Sequence, residues 1–397
     1  MKRRKFIRLV GGCSARVSAC GACSRASACD AIGVLMPHAQ DNPVGPARIG
    51  ELLQELELMG WTACRNVEID VRLGYATAAV KNNSLRPEPP LFSSSAICDV
   101  TLRPGVKMAY QETFVQRDQH RIYVQNHLGA EPAIILMHGF PDNVHLYDRL
   151  SPYLSPPRRL VLFDFLGWGS SDKPSGYPYT TDNQVGDLDA VIAQLGLGQA
   201  VLVAHDASGP PAIDWALAHP ERVAGLVLLN TYYCEMPTLR RPEAIWLFST
   251  PVIRSVARPV SRMFGNWLFR RMYWWQVGSF IRDADVRREF VPLLYQQFDA
   301  TPSARPAFFR LNEDLLAMVR SRTQMIPKLK EFRRPVRIIF GDADPSLNSD
   351  VARTFHEFLP GSELFLIPGA RHFVQLDEPE QVARLILAMS GPGSTPT

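Results

Sequence analysis

Cysteine is scarce in this chain and unevenly spread: Cys13, Cys20, Cys23, Cys29, Cys64 and Cys98 lie in the first hundred residues, and only Cys234 lies in the remaining three quarters. Composition therefore divides the sequence near residue 100. The Cys20-Gly-Ala-Cys23 pair invites a metal or redox reading, but no second pair with zinc-like spacing follows and the nearest histidine, His38, stands alone. Free or incidental thiols, without a metal, fit better. No apolar run approaches the roughly 18 residues that a membrane-spanning helix requires. Charge of one sign is also lacking, since Lys+Arg 43 against Asp+Glu 39 leaves +4, too small a surplus to point to phosphate binding. With 46% apolar residues the chain is not of disordered composition, and its 26 Gly and 32 Pro follow no triplet period. No internal repeat is apparent. The length of 397 residues suits one large α/β domain plus an additional segment.

The N-terminus, Lys2-Arg3-Arg4-Lys5-Phe6-Ile7-Arg8-Leu9-Val10, is a cationic start that resembles a twin-arginine export signal. Such a signal needs an uncharged apolar region of about 7 to 15 residues, and Arg8 and Arg16 bracket a short one. The expected location is cytoplasmic, or periplasmic if this signal works. Ala31 to Met36 reads as a strand, Pro46 to Met59 as an amphipathic helix and Asn66 to Val71 as a second strand. With the Arg-Arg start, this β-α-β resembles the opening of periplasmic substrate-binding proteins of ABC transporters. The resemblance covers about the first 75 residues and implies an appended fragment over 1–80. Residues 81–105, with Pro87, Pro89, Pro90 and a serine run, read as linker.

From Val106 onward, strand and helix signals alternate. Glu112 to Gln116 and Arg121 to Asn126 predict a hairpin. Apolar runs follow at Ala133 to Met137, Leu160 to Asp164, Ala200 to Ala204 and Gly225 to Leu229. Helical stretches are predicted at Val144 to Leu154, Asp182 to Leu195 and Gly209 to His219. Strands buried on both faces and separated by helices predict a mostly parallel, doubly covered sheet. The rhythm stops at 231–330 and resumes over 331–392 with strands at Val336 to Phe340 and Leu364 to Ile367 and helices at Ser349 to Leu359 and Pro379 to Met389. A helical lid inserted between 106–230 and 331–392 accounts for this interruption.

The chemistry-bearing residues fall at the ends of the predicted strands, where open α/β sheets place ligands. Val201 to Gly209 runs from strand through a sharp turn into a helix, with Asp206 at the apex and the small residues Ala204 and Ser208 two positions to either side. His138-Gly139-Phe140-Pro141 follows an earlier strand, so the backbone N–H groups of Phe140 and Ala207 can form an oxyanion hole. Asp344 and His372 end the last two strands, giving the order nucleophile, acid, base. Asp206 also suits a helix N-cap, and Asp342 is an alternative acid. His138 and His205 are more often structural than proton-transferring in such positions.

These motifs, together with Asp164-Phe165-Leu166-Gly167-Trp168-Gly169-Ser170-Ser171-Asp172-Lys173-Pro174, make residues 106 to 392 resemble the α/β-hydrolase superfamily. Aspartate at the apex resembles the epoxide hydrolases and haloalkane dehalogenases within it. The resemblance implies attack by Asp206 on a saturated carbon, an alkyl ester, and hydrolysis of that ester by water that His372, oriented by Asp344, deprotonates. It implies no cofactor; the expected partners are a small apolar organic substrate and water. Family epoxide hydrolases use lid tyrosines and the dehalogenases N–H donors. Ala207 and Phe140 occupy the positions where a dehalogenase usually has its donors, while Tyr273 and Tyr295 are candidate proton donors. His138, Trp246, Tyr273 and Tyr295 are the candidate substrate-contacting residues. Epoxide hydrolysis to a diol is expected, with haloalkane hydrolysis as the alternative and a non-catalytic binding module as the alternative of another class.

The lid region 231–330 has 14 Arg and 2 Lys against 8 acidic residues, with arginines and aromatics interleaved from Ile253 to Arg282. A basic aromatic segment of this kind can rest on an anionic membrane, or form a solvated face over an aromatic pocket. Nucleic acid is not an expected partner.

Overall fold

The computed structural model describes residues 110–155, 158–259 and 266–389 in full. Beyond these it describes only the backbone of further strand and helix segments. The chain divides into two compact units, 1–93 and 94–397. In the first, strands Asp30–Met36 and Val67–Leu73 pair in parallel, with Ser14–Ala19 antiparallel to the former and Phe6–Arg8 antiparallel to Ser14–Ala19. A parallel pair needs a crossover connection of a dozen or more residues. The helix expected there, Pro46 to Met59, lies outside the described residues, as do the side chains of Cys20 and Cys23.

The described residues of the second unit form nine strands: β1 (Ala96–Arg103), β2 (Val106–Arg117), β3 (His120–His127), β4 (Ala130–Met137), β5 (Arg158–Phe163), β6 (Ala200–Asp206), β7 (Val223–Thr231), β8 (Val336–Gly341) and β9 (Ser362–Ile367). They form one sheet in the order β9-β8-β7-β6-β4-β5-β3-β2-β1. The pairings from β9 to β5 are parallel, and those among β5, β3, β2 and β1 are antiparallel. Strand β1 falls within the span read as linker. There Ala96–Arg103 pairs antiparallel with β2, so the linker reading does not hold for these residues. Strands β6 to β8 are almost wholly buried, as are the later residues of β4 and β5, which explains their continuous apolar runs.

Three helices flank the sheet near the site: α1 (Thr181–Gln194), α2 (Gly209–Ala218) and α9 (Ser349–Phe358), with α10 (Pro379–Leu387) closing the chain. Thr180 caps α1 and Asn348 caps α9 through side-chain acceptors. The single helix expected over Val144 to Leu154 is instead a 3₁₀ turn, Val144–Tyr147, and a short helix, Ser151–Leu154. Pro152 lacks an N–H and fits only the first turn of a new helix.

Between β7 and β8 lie α3 (Glu243–Ser249), α4 (Pro251–Met263), α5 (Gly265–Ser279), α6 (Ala284–Asp299), α7 (Arg305–Thr323) and α8 (Ile326–Glu331). Phe269, Tyr273, Phe298 and Phe308 of these helices pack edge to face, and Phe308 stacks on Phe140 of the core at 5.0 Å between centroids. Burying one such ring contributes about 2 kcal/mol. An exposed ion pair such as Arg270–Asp299 contributes less than about 1 kcal/mol. Aromatic contact therefore seats the inserted helices, with one ion-pair cluster adding direction: buried Arg322 of α7 reaches the exposed Asp182 of α1 at 3.0 Å and the half-buried Asp214 of α2 at 2.5 Å.

Candidate active site

In chain order β5 pairs on one side of β4 and β6 on the other, so the sheet switches direction at β4 and the loops after β4 and β6 face one crevice. Asp206 ends β6 with φ of 50°, a left-handed conformation that costs an aspartate about 1 to 3 kcal/mol unless its surroundings fix it. They do so from two sides. The Thr231 hydroxyl donates to the Asp206 carbonyl, and Ser208 Oγ accepts from His205 N–H at 2.8 Å while bonding the Met137 carbonyl at 2.9 Å. A β-carbon at Gly209 would overlap the Thr231 hydroxyl, and one at Gly139 would come within 2.7 Å of Asp206 Cβ. Only glycine lets the two loops approach this closely.

The Asp206 carboxylate lies in the mouth of the expected oxyanion hole. Its Oδ2 accepts from Phe140 N–H at 2.9 Å. Burial raises the Asp206 pKa, opposed by the positive His372 and by the backbone N–H groups of Phe140 and Ala207. His372 Nδ1 bonds Asp344 Oδ2 at 2.8 Å, so a carboxylate orients the imidazole. Burial pushes the His372 pKa down, but the charges of Asp344, Asp206 and Asp142 outweigh it and carry it up to about 9. Burial would likewise raise Asp344, yet His372 and the N–H groups of Ser346 and Leu347 hold it below the usual carboxylate range. Asp342, the alternative acid, is exposed and accepts from Gly369 N–H instead.

Asp206 and His372 open into a cavity of about 400 Å³, together with Phe140, Ala207 and mainly apolar residues such as Met236, Ile245, Val277 and Leu311. Of the four expected substrate-contacting residues, only Tyr273 is part of this lining. Its hydroxyl donates to the Pro141 carbonyl at 3.3 Å, and burial raises its pKa well above the ordinary phenol value, as does the Asp142 charge. Tyr295 packs behind it, between the Phe269, Tyr273 and Phe298 rings, because its place on α6 faces the aromatic cluster. Trp246 is 46% exposed on the outer side of α3, whose Ala244 and Ile245 face inward. His138 is buried below the cavity: its Nδ1 bonds the Gly139 carbonyl at 2.8 Å and its Nε2 accepts from Phe165 N–H at 3.1 Å, so it ties two loops together. His205 is also structural, bonding the His372 carbonyl at 3.0 Å. Trp168 packs edge-on against Phe140, and Asp172 and Lys173 shape their loop. No cluster of potential metal ligands occurs among the described residues.

Three residues that no sequence motif singles out join this arrangement. Asn230, at φ of 27°, donates to Asp344 Oδ2 at 3.0 Å and accepts from Gly341 N–H at 2.8 Å. Gln297 Nε2 donates to the carbonyls of Pro141 at 3.0 Å and Asp142 at 3.1 Å, clamping the loop after β4 from α6. Asp142 is fully buried with neither oxygen bonded, and burial first, then the Asp206 charge, raises it to about 8. A polar residue directly after His138-Gly139-Phe140-Pro141 is the signal that would have drawn attention to it.

Residues 132–379 match the family of the α/β hydrolase fold. Cis-3-alkyl-4-alkyloxetan-2-one decarboxylases are similar over parts of the chain. That of Shewanella oneidensis is 31% identical over 153 residues, 38% of this chain and only 48% of the relative. That of Xanthomonas campestris is 26% identical over 309 residues, 72% and 93% of the two chains. Haloalkane dehalogenase 2 of Mycobacterium tuberculosis is 25% identical over 267 residues, 66% of this chain and 89% of that protein. Among solved structures, the haloalkane dehalogenase of Bradyrhizobium elkani superposes with a TM-score of 0.58 at 19% identity, covering 71% of this chain and 98% of its own. The sheet order, the elbow and the match over more than half of the sequence agree: the chain belongs to the α/β-hydrolase fold family.

Proposed function

We propose that this hydrolase opens epoxides to diols through an ester on Asp206. The observation that carries the reading is the Asp206 carboxylate on its elbow, sharing a mainly apolar cavity with a carboxylate-oriented imidazole and with two phenols, Tyr273 of the inserted helices and Tyr232 directly after β7. An Asp206 oxygen attacks a ring carbon and the C–O bond of the ring breaks. The ring oxygen takes the Tyr273 proton, and solvent reprotonates the phenolate. In the second stage neutral His372 takes a proton from water, and the hydroxide attacks the ester carbonyl carbon. The Phe140 and Ala207 N–H groups stabilise the oxyanion. Collapse breaks the ester C–O bond, and the departing alkoxide takes the proton from His372.

Tyr273 is what favours an epoxide over a halide. A ring oxygen that leaves as an alkoxide needs a proton, and a phenol in the cavity wall is a group that can donate one. The indoles of Trp246, Trp267 and Trp275 are exposed outside the cavity and are no donors to a halide within it. Haloalkane hydrolysis is the second reading, supported by the dehalogenase relatives and by the Gln276 amide in the cavity lining. A panel of 1,2-epoxides, bromoalkanes and an oxetan-2-one, read by diol formation, bromide release and lactone loss, tests the proposal. Diol formation with little bromide is expected; bromide release without diol contradicts it.

A further inference from the structure

The outer side of the inserted helices carries an apolar surface that no described residue covers. On α5, Trp267 is 65% exposed and Trp275 58%, with exposed Arg271 midway between them. The spacing i, i+4, i+8 puts all three on one face, the two indoles about 12 Å apart along the axis. Arg271 leans over the Trp267 ring at 5.8 Å and has no ion pair among the described residues. Beside this stripe, α4 exposes Val252 and Val256 one turn apart, and α3 exposes Trp246. Helices α3, α4 and α5 contact one another, so the three contributions form a single face. Five of the seven large apolar side chains exposed among the described residues belong to it.

We infer that this face docks on the surface of an anionic phospholipid bilayer. Tryptophan is the side chain suited to the boundary between headgroups and hydrocarbon, since its ring is apolar and its N–H can stay hydrated. Aliphatic residues beside it would enter the acyl region, and arginine would meet the phosphates. The charge has the required sign: 231–330 carries 14 Arg and 2 Lys against 8 acidic residues. Of the acids on these helices, Glu313 is engaged by Arg258 at 2.8 Å and Asp299 by Arg270 at 4.0 Å, while Glu243, three residues before Trp246, is exposed. A second copy of the chain, carrying the same positive excess, is a poorer electrostatic match for Arg271 than lipid phosphate. Helices α3 and α5 line the cavity with their opposite sides, through Ala244, Ile245, Met272 and Gln276. Docking would therefore bring the cavity within about one helix diameter, roughly 10 Å, of the bilayer.

The test is co-sedimentation of the full chain with vesicles of phosphatidylcholine, with and without phosphatidylglycerol, alongside quenching of tryptophan emission by brominated lipid. Binding and quenching are expected only when phosphatidylglycerol is present. The double variant Trp267→Ala, Trp275→Ala should lose at least about tenfold in partitioning, and Arg271→Ala about fivefold. Circular dichroism and turnover of a water-soluble substrate should stay at the parent level in both variants, which separates lost docking from lost folding. Absence of binding, binding indifferent to phosphatidylglycerol, or binding unchanged in the double variant overturns the inference. So does a stable dimer by light scattering that the double variant converts to monomer, since the face would then belong to a second copy.

Discussion

Asn230 Nδ2 and His372 Nδ1 meet on one oxygen, Asp344 Oδ2, at 3.0 Å and 2.8 Å. The other Asp344 oxygen takes the N–H groups of Ser346 and Leu347, so the acid has all its main partners fixed before any substrate enters. Asn230 thereby ties the end of β7 to the loop after β8 and sets where the imidazole points. Replacing it by alanine leaves the buried Gly341 N–H without its acceptor and removes one of the four donors to Asp344. The expected result of Asn230→Ala is a loss of about 2 to 4 kcal/mol in stability, read by urea denaturation. Asn230→Asp can still accept from Gly341 N–H but adds a negative charge beside Asp344. The His372 pKa should then rise, moving the pH dependence of ester hydrolysis upward.

The pH dependence of the second stage follows from which charges surround His372. A base must be neutral, so hydrolysis should speed up as pH rises through the His372 pKa. Three carboxyls raise that pKa to about 9 in the free enzyme. Once Asp206 is esterified it no longer carries charge, and the limb measured for the ester should lie below 9. Asp142→Asn removes another contributor and should lower the limb further, visible in single-turnover rates across pH.

Asp142 also predicts a stability effect. Its folded pKa, about 8, lies above the ordinary carboxylate range, so between that range and pH 8 the folded state holds a proton that the unfolded state has released. Stability must therefore fall as pH rises through this window. Asp142→Asn should flatten that slope and melt at higher temperature than the parent above pH 8, as followed by circular dichroism.

Tyr273 separates the two substrate classes. Tyr273→Phe keeps the ring packing against Tyr295 and Phe298 but removes the only hydroxyl proposed to serve the leaving oxygen. Epoxide turnover should drop by at least about 100-fold, the lower end for loss of a general acid. Bromoalkane turnover, where present, should stay within a few-fold of the parent. Equal loss on both classes would assign Tyr273 to the pocket wall.

The positions of Asp206, of the loop after β4, of Asp344 and of His372 could be read from the sequence because each follows the end of a strand, and the strands announce themselves as apolar runs. The small residues around Asp206 and the glycine at 139 are dictated by backbone approach, which leaves a local signature. The inserted helices leave no comparable mark. Trp246, Tyr273 and Tyr295 look alike as lid aromatics, and only the packing of α3, α5 and α6 turns one toward the cavity, one into the aromatic cluster and one to solvent. Asn230 and Gln297 act on partners 114 and 156 residues away, across contacts that no local pattern encodes.

The most direct test of the account is trapping the ester. His372→Phe should remain able to alkylate Asp206 and unable to release the product. Incubated with a turned-over epoxide and analysed by intact mass, the variant should gain one substrate mass, localised by peptide mapping to Asp206. An unmodified protein, or an adduct on another residue, would contradict nucleophilic attack by Asp206.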